Sequence, residues 1–171
     1  MALTKKFAPL EPAKHDVKHF DCGKDALNTF LGRFAAKHAR LGISSTWALT
    51  EAGGTGKATI AAFFTLAAHT VTRGDLPAQQ RSLPRFQLPV VLIAQLAVVR
   101  TAAGKGLGEK TLITALRKAV ELTDAGLPAV GIVLDSLDKD ALGFYQHFGT
   151  FDAFTENPMR LFMPMAVARQ L

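Results

Sequence analysis

The sequence predicts a single α/β domain in which helices flank a mixed central β-sheet. Apolar runs rich in β-branched and aromatic residues recur along the chain and indicate buried strands. Two longer stretches between them repeat apolar residues at helical spacing. Of the 171 residues, 49% are hydrophobic. A chain of this size can bury one sizeable core, so we expect one domain over residues 1–171.

The first half of the chain is predicted to hold one helix and three strands. The helix places apolar side chains, Phe34 among them, on one face that we expect to be buried, and Gly42 follows it as a C-cap. A run of three glycines and a threonine, residues 53–56, marks a hairpin turn. In order, the predicted elements are a short strand and turn at Lys5–Pro12, the helix Ala26–Leu41, the strands Thr46–Glu51 and Thr59–His69, and a proline-rich loop with a short helix over residues 70–89.

The second half alternates strands and helices. Gly126-Leu127-Pro128 ends its longer helix, because glycine and proline stop helical structure there. In order, the predicted elements are the strand Val90–Val99, the helix Glu109–Thr123, the strand Ala129–Asp135, the short helix Asp138–Phe148, and the strands Thr150–Phe154 and Leu161–Ala166.

A glycine-rich turn joins the strand Val90–Val99 to the helix Glu109–Thr123, with glycines at 104, 106 and 108. Such a turn suits an anionic phosphate, because a helix N-terminus leaves backbone N–H groups unpaired and glycine allows close approach. The spacing is not the G-x-G-x-x-G of dinucleotide-binding proteins, and a P-loop would need Ser or Thr directly after Lys105. On the glycines alone, an ordinary strand-to-helix turn remains the alternative.

Composition narrows the class of protein further. Cys22 is the single cysteine, so no internal disulfide forms, and we expect a reducing, cytoplasmic compartment. The first fourteen residues lack the apolar core of a signal peptide, and no apolar run is long enough to cross a membrane. The net charge of +6 is compatible with a nucleic-acid partner.

Four sets of segments, in this order along the chain, resemble the acetyltransferase toxins of type II toxin–antitoxin pairs, which belong to the GNAT N-acetyltransferases. They are Phe20–Gly23 with Leu27–Leu31, Phe63–Leu66 with Pro89–Val98, the glycine turn 103–108, and Ala141–Gly149 with its Phe-Tyr-x-x-Phe-Gly signature. The turn matches the family pattern Gln/Arg-x-x-Gly-x-Gly/Ala except that Ala103 replaces the first residue. Thr150-Phe151 also departs from the family, which continues Gly-Phe directly.

The resemblance implies a GNAT fold with splayed central strands and acetyl-CoA as the co-substrate. It implies that the backbone of Leu96, Ala97 and Val98 holds acetyl-CoA, with the Val98 N–H donating to the thioester oxygen. The turn residues Ala103, Gly104, Lys105, Gly106, Leu107 and Gly108 would bind the pyrophosphate. Tyr145 would protonate the departing thiolate; from the residues alone, a core tyrosine remains the alternative.

The implied substrate is the α-amine of aminoacyl-tRNA, whose acetylation blocks translation. Gln95 is the only polar residue between Pro89 and Arg100, so no strong general base is visible there. An α-amine, with a pKa near 7.7–8.0, needs less help losing its proton than a lysine. Basic residues of the first helix, Arg33, Lys37 and Arg40, could meet tRNA phosphates, although from charge alone an ordinary solvated helix face is the better explanation. Further basic candidates, left unranked, are Arg73, Arg81, Arg85 and Arg100.

The resemblance also implies a ribbon-helix-helix antitoxin as partner and a homodimer. An acetyltransferase for a small-molecule or protein amine is the first alternative, and a non-catalytic domain that binds acetyl-CoA or a partner is the second. His15, His19 and Cys22 have spacing compatible with a metal, but no fourth ligand is near, so we expect none. Ser136 ends a predicted strand and could either touch the co-substrate or cap the next helix.

Overall fold

The computed structural model of the chain describes residues 2–77, 80 and 82–171. Short 3₁₀ turns lie at Arg73–Asp75 and Arg100–Ala102. The strands and helices in chain order are β1 (Ala8–Pro9), β2 (His15–Asp16), α1 (Asp25–Thr29), a π-helical segment (Phe30–Phe34), α2 (Ala35–Arg40), β3 (Ser45–Thr50), β4 (Ala58–Val71), β5 (Leu88–Val98), α3 (Leu107–Asp124), β6 (Gly131–Asp135), α4 (Lys139–Phe148), β7 (Asp152–Ala153), β8 (Arg160–Pro164) and α5 (Met165–Ala168).

The strands follow the order β1-β3-β4-β5-β6-β8-β7, and β2 pairs with β4. The pairs β1–β3, β3–β4, β6–β8 and β7–β8 are antiparallel. The pairs β2–β4 and β5–β6 are parallel. This mixed sheet with helices confirms the predicted fold class.

Residues 2–67 and 95–115 form one compact unit. The segment from α1 to α2 packs against β4 and the end of β5. Its buried cluster contains Phe20, Leu27, Leu31, Ala35, Ala48, Ile60, Phe63 and Ala97. The ring of Phe20 meets that of Phe63 edge-on, with centroids 5.4 Å apart. The N-terminal segment is therefore fixed beside the strand that leads into the glycine turn.

The described residues of 68–94 and 116–171 form the second compact unit. Here β5 and β6 pair from Val90–Gly131 to Ile93–Leu134. β5 then continues to Val98, as expected for a central strand that splays from its neighbour. Gly131 has no room for a side chain, because a Cβ there would overlap the Phe162 ring and the Met163 carbonyl oxygen.

The predicted helix Ala26–Leu41 is one helical stretch with a π-helical segment in the middle. Ala35 donates its N–H to the carbonyl of Phe30, five residues back, instead of four. The wider turn leaves Phe34 41% exposed while Leu31 and Ala35 stay buried. The expectation that Phe34 lies on the buried face is therefore wrong.

Other element boundaries also differ from the predictions. The strand predicted at Leu161–Ala166 ends at Pro164, and Met165 starts α5, with Met165 and Ala168 buried at helical spacing. The strand predicted at Lys5–Pro12 is reduced to Ala8–Pro9, and the one at Thr150–Phe154 to Asp152–Ala153. The helix predicted to begin at Glu109 begins at Leu107. Within the described residues, no helix is long and apolar enough to cross a bilayer.

Candidate active site

The glycine turn presents backbone donors at the start of α3. Gly104 and Gly106 have φ angles of +76° and +81°, the left-handed region that favours glycine. The Lys110 N–H donates to the Gly106 carbonyl, which is the first helical hydrogen bond of α3. The N–H groups of Leu107 and Gly108 precede it and lack helical partners. This arrangement suits a phosphate, and phosphate binding at this turn remains a prediction.

Space around the turn is open. A Cβ built at Gly104 or Gly106 would have no heavy atom of a described residue within 4 Å, apart from chain neighbours. Ala103 and Lys105 are exposed. A negatively charged group can therefore approach the backbone N–H groups of this segment without displacing a side chain.

The motif Phe20-Asp21-Cys22-Gly23 anchors the beginning of this turn. Arg100 donates its backbone N–H to the Asp21 carbonyl at 2.9 Å, and its guanidinium lies 3.5 Å from the Asp21 carboxylate. The same carboxylate accepts hydrogen bonds from the Gly23 N–H and the Asn28 amide. The Gly23 bond is the main cause that lowers the pKa of Asp21, followed by the Asn28 bond. This contact was missed from the sequence, although Asp-x-Gly is typical of a turn in which aspartate bonds a nearby N–H.

The end of β5 carries the three residues predicted to hold acetyl-CoA through their backbone. Ala97 is buried, and Leu96 and Val98 are half-buried. The Val99 N–H donates to Ala61 of β4 at 2.8 Å. Because successive residues of a strand direct their N–H groups to opposite sides, the Val98 N–H is directed away from β4. Its predicted role as donor to the thioester oxygen is compatible with this direction.

Tyr145 lies in α4 and is 5% exposed. Its ring meets Phe144 and Phe151 edge-on, with centroid distances of 5.3 Å and 6.4 Å. Burial raises the pKa of the Tyr145 phenol, and the negative charge of Asp138 raises it further. The phenol is therefore protonated at neutral pH, as a proton donor must be.

Comparison with known proteins identifies the family. No protein-family model matches the chain. A tRNA-acetylating toxin of Mycobacterium tuberculosis is 31% identical over 157 residues, which cover 91% of this chain and 90% of that toxin. The chain belongs to the GNAT acetyltransferase toxins. It is accordingly an acetyl-CoA-dependent acetyltransferase.

Solved structures of two other toxins have the same fold. A tyrosine-to-phenylalanine mutant of KacT is 28% identical, with a TM-score of 0.89 and coverage of 99% of both chains. AtaT complexed with acetyl-methionyl-tRNAfMet is 26% identical, with a TM-score of 0.85 and coverage of 98% of both chains. A mutant AtaT bound to the C-terminus of its antitoxin AtaR and to acetyl-CoA is 25% identical, with a TM-score of 0.82 and coverage of 99% of this chain and 98% of that one.

In this family member, the basic residues of the first helix are available to solvent. Arg33 lies in the π-helical segment, and Lys37 and Arg40 lie in α2; all three are exposed. They remain predicted tRNA contacts. The other basic candidates differ in their surroundings. Arg73 donates a hydrogen bond to the Leu83 carbonyl, and the Arg100 guanidinium lies beside the Asp21 carboxylate. Arg85 is exposed, and Arg81 lies outside the described residues.

Ser136 is not the cap of the helix that carries Tyr145 in this acetyltransferase. Asp138 is the N-cap of α4, and its carboxylate accepts a hydrogen bond from the Ala141 N–H at 2.9 Å. The capping role considered for Ser136 is therefore wrong, because the helix begins two residues later. The Ser136 hydroxyl is buried and has no hydrogen-bond partner among the described residues.

The histidines near the N-terminus have ordinary polar partners. The His15 Nδ1 accepts a hydrogen bond from the Glu11 N–H at 3.0 Å, and His19 contacts the Asp16 carboxylate at 2.8 Å. No group of three or more potential ligands in the described part of the chain could hold a metal ion.

Proposed function

We propose that this chain transfers the acetyl group of acetyl-CoA to the α-amine of aminoacyl-tRNA and so blocks translation. The observation that carries the proposal is the similarity, over nine-tenths of both chains, to a tRNA-acetylating toxin. The structure of AtaT with acetyl-methionyl-tRNAfMet supports the same class of substrate.

The glycine turn is the proposed site for the pyrophosphate of acetyl-CoA. The N–H groups of Leu107 and Gly108, which have no partner within the helix, and the positive end of the α3 dipole favour negative charge at this point. The open space at Gly104 and Gly106 fits a bulky phosphate group. Since Ala103 lacks a polar side chain, backbone N–H groups are proposed to bind the pyrophosphate.

Acetyl transfer requires a polarised carbonyl and a proton for the leaving sulfur. We assign the first role to the Val98 N–H and the second to the Tyr145 hydroxyl. The neutral amine attacks the thioester carbon, the C–N bond forms, and the C–S bond breaks as Tyr145 donates its proton to sulfur. The amine gives its extra proton to solvent, and solvent reprotonates the tyrosinate. The pKa of a phenol lies above that of a thiol, and burial raises the pKa of Tyr145 further, so its proton must move as the C–S bond breaks.

An α-amine is the preferred acceptor because a substantial fraction of α-amino groups is already unprotonated near pH 7.5. The side of the first helix that carries Arg33, Lys37 and Arg40 is proposed to contact tRNA phosphates. Such contacts position the tRNA without reading its sequence.

The proposed biological setting is a toxin–antitoxin pair. The AtaT complex with AtaR supports an antitoxin as partner, and we propose a ribbon-helix-helix antitoxin for this chain. We further propose a homodimer that acts in the cytoplasm, with residues 1–171 forming one domain.

Acetyl transfer by Tyr145→Phe tests the chemistry. Purified protein receives labelled acetyl-CoA with charged tRNA, polyamines or peptides, and acetyl-CoA binding is measured separately. We expect aminoacyl-tRNA to be labelled by the wild type, and the variant to bind acetyl-CoA normally while its kcat falls about 10²- to 10⁴-fold. The Phe148→Leu variant, which changes a ring without removing a hydroxyl, is the control.

Three other outcomes contradict parts of the proposal. Near-normal turnover by Tyr145→Phe removes Tyr145 from the mechanism. Labelling of polyamines or peptides in place of tRNA favours an acetyltransferase for those amines. Tight acetyl-CoA binding without transfer to any amine favours a non-catalytic domain.

A further inference from the structure

The π-helical segment of the first helix presents an aromatic ring to solvent. Its wider turn moves Phe34 off the buried face, while Leu31 and Ala35 stay within the hydrophobic cluster. Phe34 is 41% exposed and is not among the side chains that pack on that cluster. π-helical turns inside α-helices are frequent at functional sites. Here the turn creates an exposed aromatic surface in the middle of the helix.

A row of aromatic rings holds Phe34 in place. Its ring centroid lies 5.8 Å from that of His38, and His38 in turn meets Phe30 edge-on at the same centroid distance. Phe30 stacks against Phe63 of β4 at an interplanar angle of 15°. Because Phe63 is fully buried, the row runs from the core to the surface. A ring that is already held in position loses little conformational freedom when a ligand binds to it.

Two basic residues flank this ring along the helix. Arg33 directly precedes Phe34, and Lys37 follows it by one helical turn. No acidic residue occurs from Ala26 to Leu41. Within the described ranges 2–77, 80 and 82–171, neither Arg33 nor Lys37 forms a salt bridge. The ring and its two cations consequently fit a partner that combines a flat apolar face with negative charge.

A nucleotide of single-stranded RNA has this combination. Its base offers a π-face that stacks on an aromatic side chain, and its phosphate carries the negative charge. A base inside an RNA duplex already stacks on its neighbours, so only an unpaired base can occupy the ring. An acidic protein partner would also cover the exposed Leu41 and Ile43, which follow α2 and have no ring. The response to a change at Ile43 therefore distinguishes a protein partner from RNA.

We propose that the Phe34 ring stacks on an unpaired base of the aminoacyl-tRNA, with Arg33 and Lys37 beside the adjoining phosphates. This inference rests on the proposed acetylation of aminoacyl-tRNA, and it adds a contact with a base to the phosphate contacts assigned to this helix. Stacking tolerates any base, because every base has a π-face. The contact therefore contributes affinity and positions the tRNA without selecting its sequence.

The binding test measures the Kd of deacylated tRNA, which binds without turnover. Phe34→Ala should raise this Kd about 5- to 150-fold, whereas Phe34→Tyr, which keeps a ring, should bind like the wild type. Ile43→Ala removes an exposed apolar side chain just beyond α2 and should leave the Kd unchanged. Thermal melting of each variant checks that the fold is intact. An unchanged Kd for Phe34→Ala, or an equal loss of affinity in Ile43→Ala, overturns the proposal.

Salt dependence separates stacking from charge. A neutral ring displaces no counterion, so Phe34→Ala should leave the slope of log Kd against log salt unchanged, whereas Lys37→Gln should lower it by about 0.7–0.9. A long RNA duplex has no free base in its interior, so Phe34→Ala should bind it as the wild type does. A slope change in Phe34→Ala equal to that of Lys37→Gln would show that the ring acts only on the neighbouring cations. That result, or an equal loss of affinity for the duplex and for tRNA, overturns stacking.

Acetylation of methionyl-tRNA distinguishes this inference from the proposed function. Phe34→Ala should raise KM about as much as it raises Kd and leave kcat unchanged, because stacking holds the tRNA equally before and during the reaction. If the wild type acetylates methionyl-tRNA and the variant keeps its KM, the stacking contact alone is overturned. If tRNA binds through Phe34 but no charged tRNA is acetylated, the proposed function fails and the contact stands. Unchanged tRNA affinity with weaker self-association of Phe34→Ala in sedimentation assigns the ring to a second copy of the chain and overturns the proposal.

Discussion

A leucine in place of Gly106 gives the sharpest test of the glycine turn, because the chain contains a matched control. Gly106 and Gly56 have φ angles of +81° and +78°, and a Cβ at either position would have no described residue within 4 Å apart from its chain neighbours. Gly56 lies in the turn between β3 and β4. A side chain in the left-handed region costs about 1–2 kcal/mol, so both variants should lose similar stability. For a chain of this size, that corresponds to a fall in Tm of roughly 2–8 °C.

Only the Gly106→Leu variant should lose acetyl-CoA. Hydrogen bonds to charged groups contribute about 1.5–3 kcal/mol each, and a leucine that blocks two backbone donors should weaken binding about 10²- to 10⁴-fold. Calorimetric titration gives the Kd of acetyl-CoA, and melting with and without the ligand provides a second measure. Ligand at a hundred times its Kd stabilises by about 2.7 kcal/mol, which Gly56→Leu should retain. If both variants bind acetyl-CoA equally, the turn is not its pyrophosphate site.

Three further expectations concern the same protein. Ala103→Arg restores the usual family residue and should tighten acetyl-CoA binding several-fold, whereas Thr101→Arg, an exposed neighbour, should not; equal gains would indicate general charge. Because burial raises the pKa of Tyr145, the stability that its protonation contributes is full below pH 10 and is lost as pH rises through the raised pKa. Tm should therefore fall less steeply above pH 10 in Tyr145→Phe than in the wild type. Identical slopes would contradict a buried phenol. Changing Lys37 and Arg40 to glutamate should weaken tRNA binding and reduce its salt dependence by a slope of about two, and unchanged binding would reject the contact.

Sequence patterns predicted the elements that depend on residues close together in the chain. The glycines at 104 and 106 adopt positive φ angles directly before a helix, as their spacing between a strand and an amphipathic stretch indicated. The strand over residues 90–99 and the helix that carries Tyr145 agree within one or two residues. These elements depend on periodicity, capping and turn residues, which are all visible within a short window.

Features decided by distant contacts were not predictable in the same way. An α-helix and a π-helical segment have nearly the same apolar pattern, so Phe34 could not be recognised as exposed from its spacing. In the sequence, Asp135 is a polar residue at the end of a predicted strand, and Arg160 is one of twenty basic residues. Only the antiparallel pairing of β6 with β8 places the two side by side. The charge of either residue therefore cannot be judged from the sequence without knowing its neighbour in the sheet. A net charge of +6 therefore says little about recognition, because recognition depends on which charges remain uncompensated where a ligand binds.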